Sequence, residues 1–124
     1  PLGATMMVRA EVLEQVGLMD EGYHMYCEEI DWCWRMREAG WRALCAPAAQ
    51  VIHHAGQSTS QAPVSSFVNL WVSRARFYAR RHGPVKRRLA QLLVRLGMRL
   101  RMRGASPEMV AACREALRAW EEAR

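Results

Sequence analysis

Between Pro63 and Pro107 the sequence has no acidic residue at all, against 11 basic ones. The first 62 residues are the reverse, with 8 acids and 4 bases, and the last 17 are nearly balanced. Net charges of −4, +11 and −1 along one chain predict an acidic part carrying chemistry and a basic part facing a polyanionic neighbour. No recognition motif accompanies the basic stretch, so no nucleic-acid partner is expected. There is no run of 18 apolar residues, which excludes a helix crossing a bilayer. The 4 cysteines (Cys27, Cys33, Cys45 and Cys113) form no CxxC pair and no zinc-finger spacing. Reduced, mostly buried thiols of a cytosolic protein are expected, with a disulfide between two of them as the lesser alternative. The chain opens on Pro1-Leu2-Gly3, without an initiator Met or a basic-then-apolar leader, which predicts a piece of a longer protein.

What is present suits one small domain or part of one. The 124 residues are 51% apolar, enough for a packed core. Eight Met and 5 Trp add adaptable apolar surface to that core. "GATMMVR" (3–9) reads as a short strand leaving a glycine turn. "AEVLEQVG" places Val12, Leu13 and Val16 at helical spacing, with Gly17 as C-cap. A loop follows, then a helix from Glu28 to Ala39 ending at Gly40, with Asp31 and Arg35 spaced to pair on its surface. "WRALCAP" and "AQVIHHAG" read as two short strands or extended segments split by Pro47. Ser58–Ser66 reads as a polar loop.

From Phe67 the pattern is helical, with Phe67, Leu70, Trp71 and Tyr78 on one face up to a break at Gly83-Pro84. A second helix carries an apolar stripe of Val85, Leu89, Leu92, Leu93, Leu96 and Leu100, and Gly104 stops it. Ser106 caps a last helix with Pro107 at its first position. The parts are thus 1–62, 63–104 and 105–124.

The densest chemistry is "YCEEIDWCWRMREAGW". Glu28, Glu29 and Asp31 suit the first turn of a helix, where acids complement the dipole. They also suit a cleft in which one carboxylate takes a proton and others tune it. Glu28 and Glu29 point about 100° apart on a helix, so they cannot do the same job. The pair His53-His54 in "VIHHAGQS" is by itself a weak metal signal and equally fits ordinary loop histidines.

Taken in order, these segments from Leu2 to Ser60, and more loosely to His82, resemble the C-terminal half of the glycosyltransferase family 2 domain. The likeness is nearest to bacterial rhamnosyltransferase-like members that build cell-surface polysaccharides. The resemblance implies an α/β fold: part of a GT-A (nucleotide-diphospho-sugar transferase) fold with short strands plus helices, followed by an α-helical C-terminal tail. It implies an inverting, metal-dependent transfer from a nucleotide-diphosphate sugar donor to a cell-surface polysaccharide or lipid-linked acceptor. "GATMMVR" looks like the acceptor-side strand and turn, which puts Gly3 and Ala4 at the acceptor. "GLMDEGY" resembles the Gly-x-Phe-Asp-Glu loop, which adds Asp20 and Glu21, and Tyr26 and Trp32 would complete that pocket. "EEIDWCWR" matches the Glu-Asp-x-Asp segment. There Glu29 takes the place of the catalytic base, and Glu28 and Asp31 shape the pocket and orient it. His53, or His54 one register on, falls where many members ligate the cation.

The chemistry suits these residue types. An acceptor hydroxyl is a poor nucleophile until a carboxylate takes its proton. A leaving nucleotide diphosphate develops charge that Mg²⁺ or Mn²⁺ neutralises. Tyr23, Tyr26, Trp32 and Trp34 are available to stack on sugar rings, with at least one tryptophan expected in the core. Two departures stand out. Glu29 replaces the commoner Asp and moves the carboxylate by about 1.5 Å, one C–C bond. No Asp-x-Asp occurs in the chain, so a divalent cation is expected only with a missing N-terminal half, without which turnover is not expected.

The basic stretch has two readings. One is a pair of solvated helices packing their apolar faces on the domain. The other is a helix lying on an anionic membrane with leucines inserted and Arg74, Arg76, Arg80, Arg81, Lys86, Arg87 and Arg88 near phosphates. The second places the protein in the cytoplasm, peripheral on the inner face of the plasma membrane. It also allows a non-catalytic remnant or binding module that grips a membrane or partner through these helices.

Overall fold

A computed structural model describes residues 3–54 and 61–123. Its regular structure among these residues is five helices: α1 (Ala10–Val16), α2 (Glu28–Glu38), α3 (Pro63–Arg81), α4 (Pro84–Met102) and α5 (Pro107–Glu122). The expected α/β architecture is therefore not found; the described chain is helical, with no strand. The segments read as strands, 3–9, 41–47 and 49–56, are non-helical and have no ladder partner among the described residues, which leave out 55 and 56. A strand needs a neighbour for its backbone groups, and alternation of side chains alone does not supply one. Met7, Leu44, Val51 and Ile52 on these segments are left exposed.

Helix ends follow local chemistry. Gly17 takes a left-handed φ of 78° and donates its N–H to the Leu13 carbonyl. Beyond α2, Gly40 (φ 87°) donates to Arg37 and Trp41 to Met36, the paired bonds of a Schellman motif. Ser106 Oγ accepts from the Met109 N–H at 3.3 Å, with Pro107 opening α5 as its spacing predicts. Helix α3 begins at Pro63, earlier than the polar composition suggested, because proline at the first position loses no intrahelical donor. Residues 58–60 of that expected loop lie outside the described residues.

Helix α5 packs across both α3 and α4. Their shared core is Ala75 from α3, Val94 and Met98 from α4, and Cys113, Ala116 and Trp120 from α5. Phe67, Trp71 and Tyr78 close it, with Tyr78 5.3 Å and Trp71 6.5 Å from the Trp120 ring. The apolar stripe of α4 is not in this core. Val94 and Met98 make the contact, and all six stripe residues are exposed.

A second cluster joins the acidic and basic parts: Tyr23, Cys27 and Phe77, with Tyr26, Trp34 and Tyr78 against them. Helix α3 thus serves both cores, one on each side. Helix α1 is held to α2 by polar bonds to its C-terminal end. Trp32 Nε1 donates to the Gly17 carbonyl at 2.8 Å, Trp41 Nε1 to Gln15 Oε1, and Arg35 to the Val16 and Leu18 carbonyls.

Candidate functional site

The acidic turn opens α2 through an unusual junction. Tyr26 and Cys27 both adopt left-handed backbone, φ 69° and 67°, though neither is glycine or asparagine. Each such residue costs roughly 1–2 kcal/mol. What holds them is burial of Cys27 in the second cluster and a 2.6 Å bond from Ser73 Oγ to the Met25 carbonyl. Cys27 supplies no side-chain cap, so the exposed N–H groups of α2 are complemented by the charge of Glu28, Glu29 and Asp31.

The structure separates these three carboxylates. Asp31 is fully buried and accepts from Arg81 Nε at 2.7 Å, Arg35 Nε at 3.1 Å and, more distantly, the Tyr23 hydroxyl at 3.4 Å. Burial alone would raise its carboxyl pKa, but the hydrogen bonds from Arg81 and Arg35 outweigh that and hold it below the usual range. Tyr23 responds oppositely: burial, with the adjacent Asp31 charge, pushes its hydroxyl up to about 12. The expected Asp31–Arg35 pair forms, but in the interior rather than on the surface.

Glu28 and Glu29 are half-buried, and their Oε2 atoms are shielded without a hydrogen-bond partner among the described residues. Glu29 lies against Gly3; a Cβ added to that glycine would meet Glu29 Cβ at 3.3 Å and Cγ at 3.4 Å. Two segments that the resemblance assigned to one site thus touch. Ala4 and Glu21 are exposed nearby in sequence to Gly3 and Asp20, and Tyr26 packs on the second cluster. Trp32 is buried with its indole N–H committed to Gly17, which makes it a structural residue of the α1–α2 junction.

Asp20 is an anchor. It accepts the Gly22 N–H at 2.8 Å, Arg76 Nη2 at 2.9 Å and Arg80, and its carboxyl is held below the usual range first by the Gly22 bond and then by Arg76. Three of the basic residues read as membrane-facing, Arg76, Arg80 and Arg81, therefore spend their charge on Asp20, Asp31 and Glu38 of the same chain. Arg74 lies over the Trp71 ring, while Lys86 and Arg88 are exposed and Arg87 is half-buried. Sequence reasoning found Arg35 through its spacing from Asp31. Arg81 and Ser73 carried no local signal, because their partners lie 50 and 48 residues away.

His53 and His54 stand on an exposed segment without regular secondary structure. Among the described residues no three His, Cys, Asp or Glu side chains cluster closely enough to hold a metal ion, so this donor set does not by itself fit the expected cation. None of the described helices is long and apolar enough to cross a membrane. Cys27 and Cys113 are buried free thiols, Cys33 is half-buried and Cys45 is exposed.

The similarity of this chain to known proteins is to glycosyltransferases. It is 39% identical over 80 residues to the N-acetylglucosaminyl-diphospho-decaprenol L-rhamnosyltransferase of Mycobacterium tuberculosis, covering 64% of this chain and 26% of that protein. It is 45% identical over 53 residues to the rhamnosyltransferase WbbL of Escherichia coli, covering 43% of this chain and 20% of that protein. A low-salt glycan biosynthesis hexosyltransferase of Haloferax volcanii is 32% identical over 78 residues, covering 62% and 25%. The chain thus spans between 20% and 26% of the length of the curated relatives it matches. No family model matches it, and no solved structure matches it.

Proposed function

We propose that residues 3–54 form the acceptor side of an inverting family 2 glycosyltransferase, with Glu29 as the general base. The observation that carries this is the division of labour within one helical turn. Asp31 is saturated by two arginines, whereas Glu28 and Glu29 each present a shielded carboxylate oxygen with no partner among the described residues, and of the two it is Glu29 that lies against Gly3. A base has to keep a free lone pair for the hydroxyl it deprotonates, and a carboxylate held by two guanidinium groups is a poor one.

In this reading the acceptor hydroxyl attacks the anomeric carbon of the donor sugar and its proton passes to Glu29. The new C–O bond forms as the bond to the nucleotide diphosphate breaks, with inversion. Glu28, on the neighbouring face, orients the acceptor, and Asp31 fixes the pitch of α2. A divalent cation, if the complete site has one, would stabilise the leaving diphosphate; no step here is routed through His53 or His54. The names of the relatives support a hexose of the rhamnose type as the transferred sugar and a lipid-diphosphate-linked sugar as acceptor.

The test is sugar transfer by the complete gene product. Glu29→Gln keeps the shape and should lower the rate by about 10²–10⁴-fold while acceptor binding survives. Transfer at the unaltered rate in that variant, or none by the complete wild-type product, overturns the assignment.

A further inference from the structure

Helix α4 turns its apolar stripe away from the protein. Val85, Leu89, Leu92, Leu93, Leu96 and Leu100 are each more than half exposed. At about 100° per residue they fall within an arc of about 100°, and Ala90, Val94 and Met98, which meet the core, lie on the opposite side. The band runs about 22 Å along the helix. Its shoulders are basic: Arg88, Arg95 and Arg99 follow one edge and Lys86 borders the other. Arg95 is paired with Glu121, but Lys86, Arg88 and Arg99 make no ion pair among the described residues. Beside the band, a cleft of about 610 Å³ between α4 and α5 brings Arg88 and Arg95 to Leu92 and Trp120.

We infer that this face of α4 docks on an anionic lipid bilayer, with the leucines in the acyl boundary and the shoulder arginines at headgroup phosphates. A bilayer offers apolar depth and a plane of negative charge at the spacing an amphipathic helix presents. A second copy of the chain does not, because it would bring one uncompensated basic stretch against another. Arginine suits the task better than lysine, since its planar fork binds phosphate bidentately, and 17 of the 18 basic residues are arginine. The docking surface is therefore not the basic residues of α3. It is Val85 to Leu100 with Lys86, Arg88 and Arg99, and it operates independently of Glu29.

Co-sedimentation with phosphatidylcholine vesicles, with and without phosphatidylglycerol, tests this on the 124-residue chain. The wild type should bind the anionic vesicles and lose most of that binding at high salt. Leu92→Gln with Leu96→Gln, both on exposed positions, should keep the helical circular dichroism and weaken partitioning more than about tenfold. Arg88→Gln with Arg99→Gln should weaken it roughly thirtyfold. Arg76→Gln should change partitioning little. Failure of the wild type to bind, or full binding by the double leucine variant, overturns the proposal. So does a concentration-dependent dimer that the leucine substitutions abolish, which would assign the face to a second copy. Loss of sugar transfer on Glu29→Gln leaves vesicle binding unchanged, so the two readings fail separately.

Discussion

Arg81 donates to Asp31 at 2.7 Å across 50 residues of chain, and neither side chain is more than 13% exposed. This bond, with Arg35 on the other carboxylate oxygen, fixes the acidic turn of α2 to the end of α3. Its three participants hold the turn in place and are distinct from Glu29, the base of the proposed reading.

Removing one partner should be costly, because it strands the others in the interior. Asp31→Asn is expected to destabilise the chain by about 3–5 kcal/mol. In a double-mutant cycle with Arg81→Met, urea unfolding should give a coupling of about 1–3 kcal/mol. Additive effects would show that the pair carries no energy of its own.

The same carboxylate sets the acid response. Asp31 and Asp20 have folded pKa values below their unfolded ones, so the folded chain binds fewer protons. Their contribution is present above the ordinary carboxylate range and is lost as pH falls through about 3.9 and below. Tyr23 works at the other end. Its folded pKa is raised to about 12, so its contribution holds below its ordinary value near 10 and fades as pH rises through about 12. Urea midpoints measured across pH should fall at both ends. Tyr23→Phe should lessen the alkaline limb and leave the acid one, with the remaining alkaline loss coming from the Cys27 and Cys113 thiols that burial pushes up.

Gly3 gives a way to move Glu29 without touching it. Ala at this position places a methyl 3.3 Å from Glu29 Cβ, and that neighbour is close to the backbone and has little room to yield. Gly3 is itself exposed, so Gly3→Ala should change stability by less than about 1 kcal/mol. Transfer by the complete gene product should nonetheless fall by about tenfold or more, through misplacement of the base. Thermal melts and initial rates measured together decide it; a normal rate would place the reacting hydroxyl elsewhere.

Much of the helical part was legible because its signals are local. Gly17, Gly40, Ser106 and Pro107 act on their own turns, and the structure uses each as its residue type predicts. The stripe of α4 was legible as a stripe but not as an outward one, since the side that packs depends on where α5 lies. Strands at 3–9 and 41–56 were expected from apolar runs, and pairing is a property of two segments that one segment cannot show. Tyr26 and Cys27 gave no sign of left-handed backbone, because tertiary contacts rather than residue type impose it. At the site, Glu29 and Gly3 came from the resemblance and do meet. Asp31 was grouped with Glu29 because adjacency in sequence cannot separate a carboxylate that is free from one that is clamped.

Only His82 and Gly83 separate α3 from α4. From Arg81 to Pro84 that leash reaches at most about 11 Å. Arg81 is bolted to the acidic turn, and Pro84 starts the helix with the outward leucines, so whatever surface holds α4 also sets how far Glu29 stands above it. In the proposed reading, with Glu29 as base and α4 on a bilayer, the acceptor hydroxyl would have to arrive at nearly fixed height, as one carried on a lipid would.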